Sequence, residues 1–221
     1  MIRQDSYGIV QNIAKETMNY LFSVIVPGIS EKEIRDEAEA YMLSHGIESF
    51  WYYNVGALVF IGDRTTLSVS GRDYTASDRR VEDNDLVTVD LSPCIENVWG
   101  DYARSFIVGE ADLIYGIDFE NYLHSQLSRI THPDITLHEM YHELNDIINL
   151  NGFINLDFNG NLGHTIEKSK DARKYIEHGN MVRMKEIDLF TFEPHVKKSG
   201  HDYGFKMENI YYLEGDTLHE L

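Results

Sequence analysis

Apolar residues recur at helical spacing in the first segment, GIVQNIAKETMNYLFSVI, where Ile9, Ile13, Met18, Leu21 and Phe22 follow one side. Pro27 and Gly28 break that pattern. SEKE follows, with Ser30 and Glu33 in the spacing of a capping box, and predicts a helix that Gly46 ends. From about Ser49 the period changes. SFWYYNVGALVFIG and TTLSVSG are rich in aromatic and β-branched residues and predict strands. DLVTVDLSPCIENVWGDYARSFIVG reads as two strands joined by a turn near Ile95–Asn97. Helical spacing returns over 116–130 and 136–150, the second opened by another capping box, Thr136 with Glu139. A glycine-rich loop, FNGNLG, leads to His164, and LFTFEPHV and YGFKMENIYYL are strand-like. The order of helices and strands predicts a mixed α+β plan, without an internal sequence repeat.

Composition narrows this only slightly. A chain of 221 residues with 43% hydrophobic and 25% charged positions can bury a sizeable core. Four prolines and no low-complexity tract leave little for a linker, which predicts one compact domain over 1–221. The balance of 37 acidic against 19 basic residues, net −18, disfavours nucleic acid and anionic membranes as partners. Most of that surplus reads as solvated surface, with some available to cations. Cys94 is the only cysteine, so no internal disulfide can form. The start lacks an apolar signal region and no stretch approaches a membrane span, so a cytoplasmic protein is expected. Base rates favour a symmetric homodimer.

Residues 138–142 read HEMYH, the HExxH pattern of zinc peptidases. Leu137, Met140, Tyr141, Leu144, Ile147 and Ile148 form the apolar stripe of this helix, and His138 and His142 fall outside it. No third ligand follows at the usual spacing. Two solvated histidines on an amphipathic helix are the expectation here.

A second constellation is acidic. Asp90 sits in VTVDLS, where a charge is out of character for a strand. A hairpin symmetric about Ile95–Glu96 would place Asp90 directly opposite Asp101, where like charges repel. Solvent, a raised pKa or a metal must offset that repulsion. A wet surface pair, or a slip of register, is the plainer alternative. In LFTFEPHV, alternation puts Leu189, Thr191, Glu193 and His195 on one face. Glu208 lies in the apolar run GFKMENIYYL, and His164 follows Gly163 in its loop. Four carboxylates and an imidazole suit divalent Mn, Fe, Co or Zn.

The runs VTVDLSPCIENVWGDYARSFIVGE, NLGHTIE, FTFEPHV and GFKMEN together resemble the pita-bread metallopeptidases, which include methionine aminopeptidase, Xaa-Pro aminopeptidase and prolidase. The resemblance covers about residues 1–215. It implies an antiparallel curved sheet covered by helices, in pseudo-two-fold halves. It also implies the metal ligands Asp90, Asp101, His164, Glu193 and Glu208, in the family's order. The short interval from Glu193 to Glu208, and GFKMEN in place of G-V-R-I-E-D, look closer to the Xaa-Pro branch. Two departures stand out. No histidine occurs near Ser70, and after His164 the chain runs TIEKSKDARKYIEHGN, with His178 further along than the family's second histidine.

By resemblance, Asp101 and Glu208 would bridge two divalent ions, Asp90 would chelate one, and His164 and Glu193 would complete the other. Ions so placed supply hydroxide near neutral pH for attack on the amide carbonyl of a small peptide. Glu193 would pass the proton to the leaving nitrogen, with His195 standing in for an outer histidine. His201 and Tyr203 are weaker substitutes. Two other classes compete: a non-peptidase enzyme with altered C–N or oxidative chemistry on the same fold, and a binding protein that has lost activity. Five retained ligands speak against the latter.

Overall fold

The computed structural model describes residues 2–221, with side chains from Ser6 onward. The first half contains α1 (Ile2–Val24), α2 (Glu31–Ser44), β1 (Ser49–Phe50), β2 (Ala57–Ile61), β3 (Leu86–Leu91), β4 (Pro93–Ile95), β5 (Val98–Trp99) and β6 (Tyr102–Ile107). The second contains α3 (Ile114–Ile130), α4 (Leu137–Leu150), β7 (Phe153–Asn155), β8 (Phe190–Phe192), β9 (His195–Lys198), β10 (Gly204–Lys206), β11 (Asn209–Glu214) and β12 (Thr217–Glu220). The named strand pairs are all antiparallel, in three-stranded sheets ordered β2-β3-β6, β1-β4-β5, β10-β9-β7 and β12-β11-β8. Each half carries its own apolar core beneath a helix pair, α1 and α2 in one and α3 and α4 in the other. No helix among the described residues is long and apolar enough to cross a membrane.

Both capping boxes form. Ser30 and Glu33 close α2 reciprocally, and Thr136 and Glu139 do the same for α4. The buried stripe of α1 keeps the expected Ile13, Met18 and Leu21 and adds Val10 and Ala14 in place of Ile9 and Phe22. Ile9 and Phe22 are left 60% and 65% exposed. The small residues Val10 and Ala14 carry the packing that spacing of large side chains assigned to them.

Three strand expectations change. The β4–β5 turn is Glu96–Asn97, both with positive φ (48° and 67°), which is the two-residue turn matched to strand twist. Asp90 therefore pairs with Ala103, not Asp101, and Asp101 lies just outside the ladder. The shift of register is even, so neither acid changes face. TTLSVSG forms no strand: Thr65 Oγ1 donates to Gly62 O at 2.6 Å and closes a 3₁₀ turn over Gly62–Thr66. LFTFEPHV splits at Glu193–Pro194, because proline has no N–H for a ladder. β8 then pairs with β11, while β9 runs between β7 and β10.

The halves meet along β6 and the segment before β11. Glu208 N donates to Ala103 O at 3.0 Å, and Lys206 N donates to Ser105 Oγ at 2.9 Å. The Arg104 guanidinium donates to Ala103 O, Glu208 O and Asn209 Oδ1, at 2.7, 2.8 and 2.7 Å. Both sides of the seam are thereby pinned next to the expected ligands.

Candidate metal centre

The five expected ligands converge, each held by a different local device. Asp90 is the last residue but one of β3, the half-buried position in an otherwise buried run. Asp101 is fixed by its backbone: Gln11 of α1 accepts from Asp101 N at 2.9 Å and donates to Asp101 O at 2.7 Å. Glu208 is fully buried at the seam. Glu193 sits at the β8–β9 break with its side chain 19% exposed. His164 hangs from a loop whose Gly163 has φ +147°, where an added Cβ would lie 2.2 Å from Thr191 O. Only glycine lets the loop pass so close to β8.

The imidazole of His164 is oriented by the loop. Its Nδ1 lies 3.1 Å from Thr165 O, so Nδ1 carries the proton and Nε2 presents a lone pair inward. Nε2 stands 3.5 Å from Asp101 Oδ2 and 3.7 Å from Glu193 Oε1. Ligand atoms of Asp101, His164 and Glu208 all lie within 4.8 Å of one another. Asp101 Oδ2 and both Glu208 carboxylate oxygens are buried without a hydrogen-bond partner among the described residues. Orphaned buried carboxylate oxygens are costly unless something positive meets them. These donors fit a divalent cation.

The electrostatics agree. Burial, then the charges of Asp90 and Glu193, push Asp101 well above the usual carboxylate range. Burial, then Asp101 and Glu193, push Glu208 well above it too. Burial raises Asp90. It also lowers His164 to about 4, which keeps the ring neutral and able to ligate at pH 7. Glu193 goes the other way: burial opposes its charge, but Lys206 and His164 bring it below its ordinary value.

Lys206 was not anticipated. Its Nζ lies 2.5 Å from Asp90 Oδ2, 3.0 Å from Glu193 Oε2 and 4.0 Å from Glu208 Oε2. Burial disfavours its charge, yet Asp90, Glu193 and Glu208 outweigh that and raise its pKa well above the ordinary lysine value. The centre opens to a cleft of about 360 Å³, whose lining includes Trp51, Tyr52, Ser70, Arg173 and Tyr175. The Arg173 guanidinium carbon lies 5.1, 5.7 and 5.4 Å from the ring centres of Trp51, Tyr52 and Tyr175. The aromatic run SFWYY was the one available signal for this wall, and it was read only as a strand.

The remaining histidines separate from this centre. His195 is buried, with Nε2 donating to Thr65 O at 2.7 Å. It lines a small cavity beside Asp90 and Lys206 rather than the cleft. His201 Nδ1 pairs with Tyr115 OH at 3.1 Å, and neither His201 nor Tyr203 lines the cleft. His138 and His142 are joined on the surface by His178, a third histidine that spacing alone did not supply. His142 Nε2 and His178 Nδ1 share a hydrogen bond of 3.0 Å, and His138 Nδ1 accepts from Gly179 N at 3.0 Å. Glu139, which a zinc peptidase would use as base, is taken up by its capping box with Thr136.

Antiparallel halves around a buried acid–histidine centre define a metallopeptidase-like class. The sequence model of metallopeptidase family M24 matches residues 6–214, and the chain belongs to that family. It is 32% identical over 98 residues to an uncharacterized peptidase of Bacillus subtilis, covering 44% of this chain and 26% of the relative. It is 25% identical to a Xaa-Pro dipeptidase of Pyrococcus horikoshii over 82% of this chain and 50% of that one. The X-Pro aminopeptidase structure from Thermotoga maritima superposes with a TM-score of 0.82 at 22% identity. That alignment covers 96% of this chain and 58% of the neighbour, and establishes the pita-bread fold. The chain therefore spans about a quarter to three-fifths of these relatives.

Proposed function

We propose that residues 1–221 form one catalytic domain, a metal-dependent hydrolase that cleaves an amide bond in small peptides of the Xaa-Pro type. The observation that carries this reading is the set of buried, unpartnered oxygens on Asp101 and Glu208 facing His164 Nε2 at the head of an aromatic cleft. Asp101, His164, Glu193 and Glu208 would hold the ion. A bound divalent ion of the Mn, Fe, Co or Zn group supplies Lewis acidity toward the carbonyl and lowers the pKa of water.

This chain's own residues do the rest. Glu193, the ligand most open to the cleft, accepts a proton from the attacking water at a carboxylate oxygen and returns it to the leaving nitrogen. Trp51, Tyr52 and Tyr175 offer flat faces to a prolyl ring. Arg173 offers a cation to the free carboxylate of a dipeptide. The buried free thiol of Cys94 suits the reducing, cytoplasmic setting that the sequence suggests.

The test is turnover of Xaa-Pro dipeptides by the Mn-loaded protein. Glu193→Gln should lower kcat about 10²–10⁴-fold. Arg173→Gln should raise KM for a dipeptide about 10–100-fold, as expected for one charge-assisted hydrogen bond, and leave the C-terminal amide unaffected. Equal loss on both substrates would remove the carboxylate role. A second reading, hydrolysis of a non-peptide amide on the same centre, is favoured by Ser70 lining the cleft, near where the family resemblance expects a histidine. An ion-loaded protein inert to every peptide would select it.

A further inference from the structure

The centre compensates its negative charge in two different ways. Asp101, Glu208 and His164 Nε2 face a common gap, and three of the carboxylate oxygens there have no hydrogen-bond partner among the described residues. Asp90 and Glu193 are instead met by Lys206, with Nζ at 2.5 Å from Asp90 Oδ2 and 3.0 Å from Glu193 Oε2. Glu208 Oε2 is also within 4.0 Å of the ammonium. We propose that Lys206 takes the place of one of the two ions the family resemblance implies. The chain then binds one divalent ion, at Asp101, His164 and Glu208 with Glu193 at its edge. Asp90 becomes the lysine's counter-charge instead of a metal ligand. This rests on the metal-centre reading above.

Glu193 divides its oxygens: Oε1 faces His164 at 3.7 Å and Oε2 faces Lys206. Asp90 Oδ2 already receives the ammonium, so a second dication bound there would sit against a fixed positive charge with little water between them.

The lysine is also tethered to stay. Its main chain exchanges hydrogen bonds with Ser105 Oγ, at 2.9 and 3.1 Å. It precedes Glu208 by two residues, and its side chain is 19% exposed. Residues two apart along an extended chain point the same way, so the ammonium and the ligand approach from one direction.

The experiment counts bound Mn per chain by mass spectrometry after equilibration and removal of free ion. His178→Ala is present in every sample, so that the exposed histidine trio adds nothing, and Mn is a hard ion that prefers carboxylates. The parent should retain one equivalent and Lys206→Ala two, with the electron paramagnetic resonance changing from an isolated ion to a coupled pair. Lys206→Met keeps most of the side-chain volume and replaces Lys206→Ala if that variant does not fold. Two equivalents in the parent, or one in a folded Lys206→Ala or Lys206→Met, overturns the proposal. No ion in any sample overturns instead the metal-centre reading beneath it.

Discussion

Gly163 shows how a single backbone position sets the chemistry of its neighbour. An alanine there would have its Cβ 2.2 Å from Thr191 O in a φ that L-residues rarely adopt, so the loop must move, and His164 with it. Gly163→Ala should destabilise the fold by about 1–3 kcal/mol or more, and lower Mn affinity beyond that loss. Thermal unfolding with and without Mn checks this; an unchanged affinity would free the imidazole from the loop. Asp90, Glu193 and Glu208 stand out as charged residues inside strand-like runs, whereas Asp101 and His164 join them as candidates only through hairpin pairing and the family resemblance. Lys206 does not stand out, since a lysine in GFKMEN reads as a long side chain reaching for water. Its destination, beside Asp90 and Glu193 from two other segments, is a fact of tertiary structure.

At the scale of elements, α4 explains why HEMYH is not the centre. The stripe of Leu137, Met140, Leu144 and Ile148 is buried as its period predicts, and that burial turns both histidines outward. Thr136→Ala removes the cap and should lower stability by about 1 kcal/mol without changing the Mn content of the buried centre. Loss of that Mn would tie α4 to the site after all. The second, third and fourth helices were legible to within about two residues, because capping boxes and apolar stripes are local signals, whereas α1 starts at Ile2, ahead of the segment that opens at Gly8. The strands were less so. The one-residue displacement of the hairpin turn depends on Glu96 and Asn97 accepting left-handed backbone, and the break in LFTFEPHV depends on which sheets lie to either side. His178 reaches His142 through a loop, and no periodicity reports that.

Over the whole molecule, the buried acids make stability depend on pH and ion together. Asp101 and Glu208 have raised pKa values in the ion-free fold, so their contribution is fully present below the ordinary carboxylate pKa. It is lost as pH rises through the raised values. An ion must displace those protons, so its binding strengthens over the same interval. Glu193 shifts the opposite way, and Lys206 keeps its proton throughout. The gain in Tm from Mn over a chelator should therefore grow as pH rises from the ordinary carboxylate range through the raised values. A gain that shrinks over that range would mean these carboxylates are not the ligands. The paired-half layout was legible only through family resemblance, since the halves carry no sequence repeat.

The ligands are also divided between the halves: Asp101 follows β5, whereas His164, Glu193 and Glu208 come from the later segments. Cys94 has no second thiol to pair with, so the chain cannot staple itself covalently. An ion gripped from both sides would serve as that staple. It would close a long loop and narrow the unfolded ensemble, much as a disulfide does in a secreted domain. A chelator would then act on this protein as a reductant acts on such a domain, loosening one half from the other before either core melts.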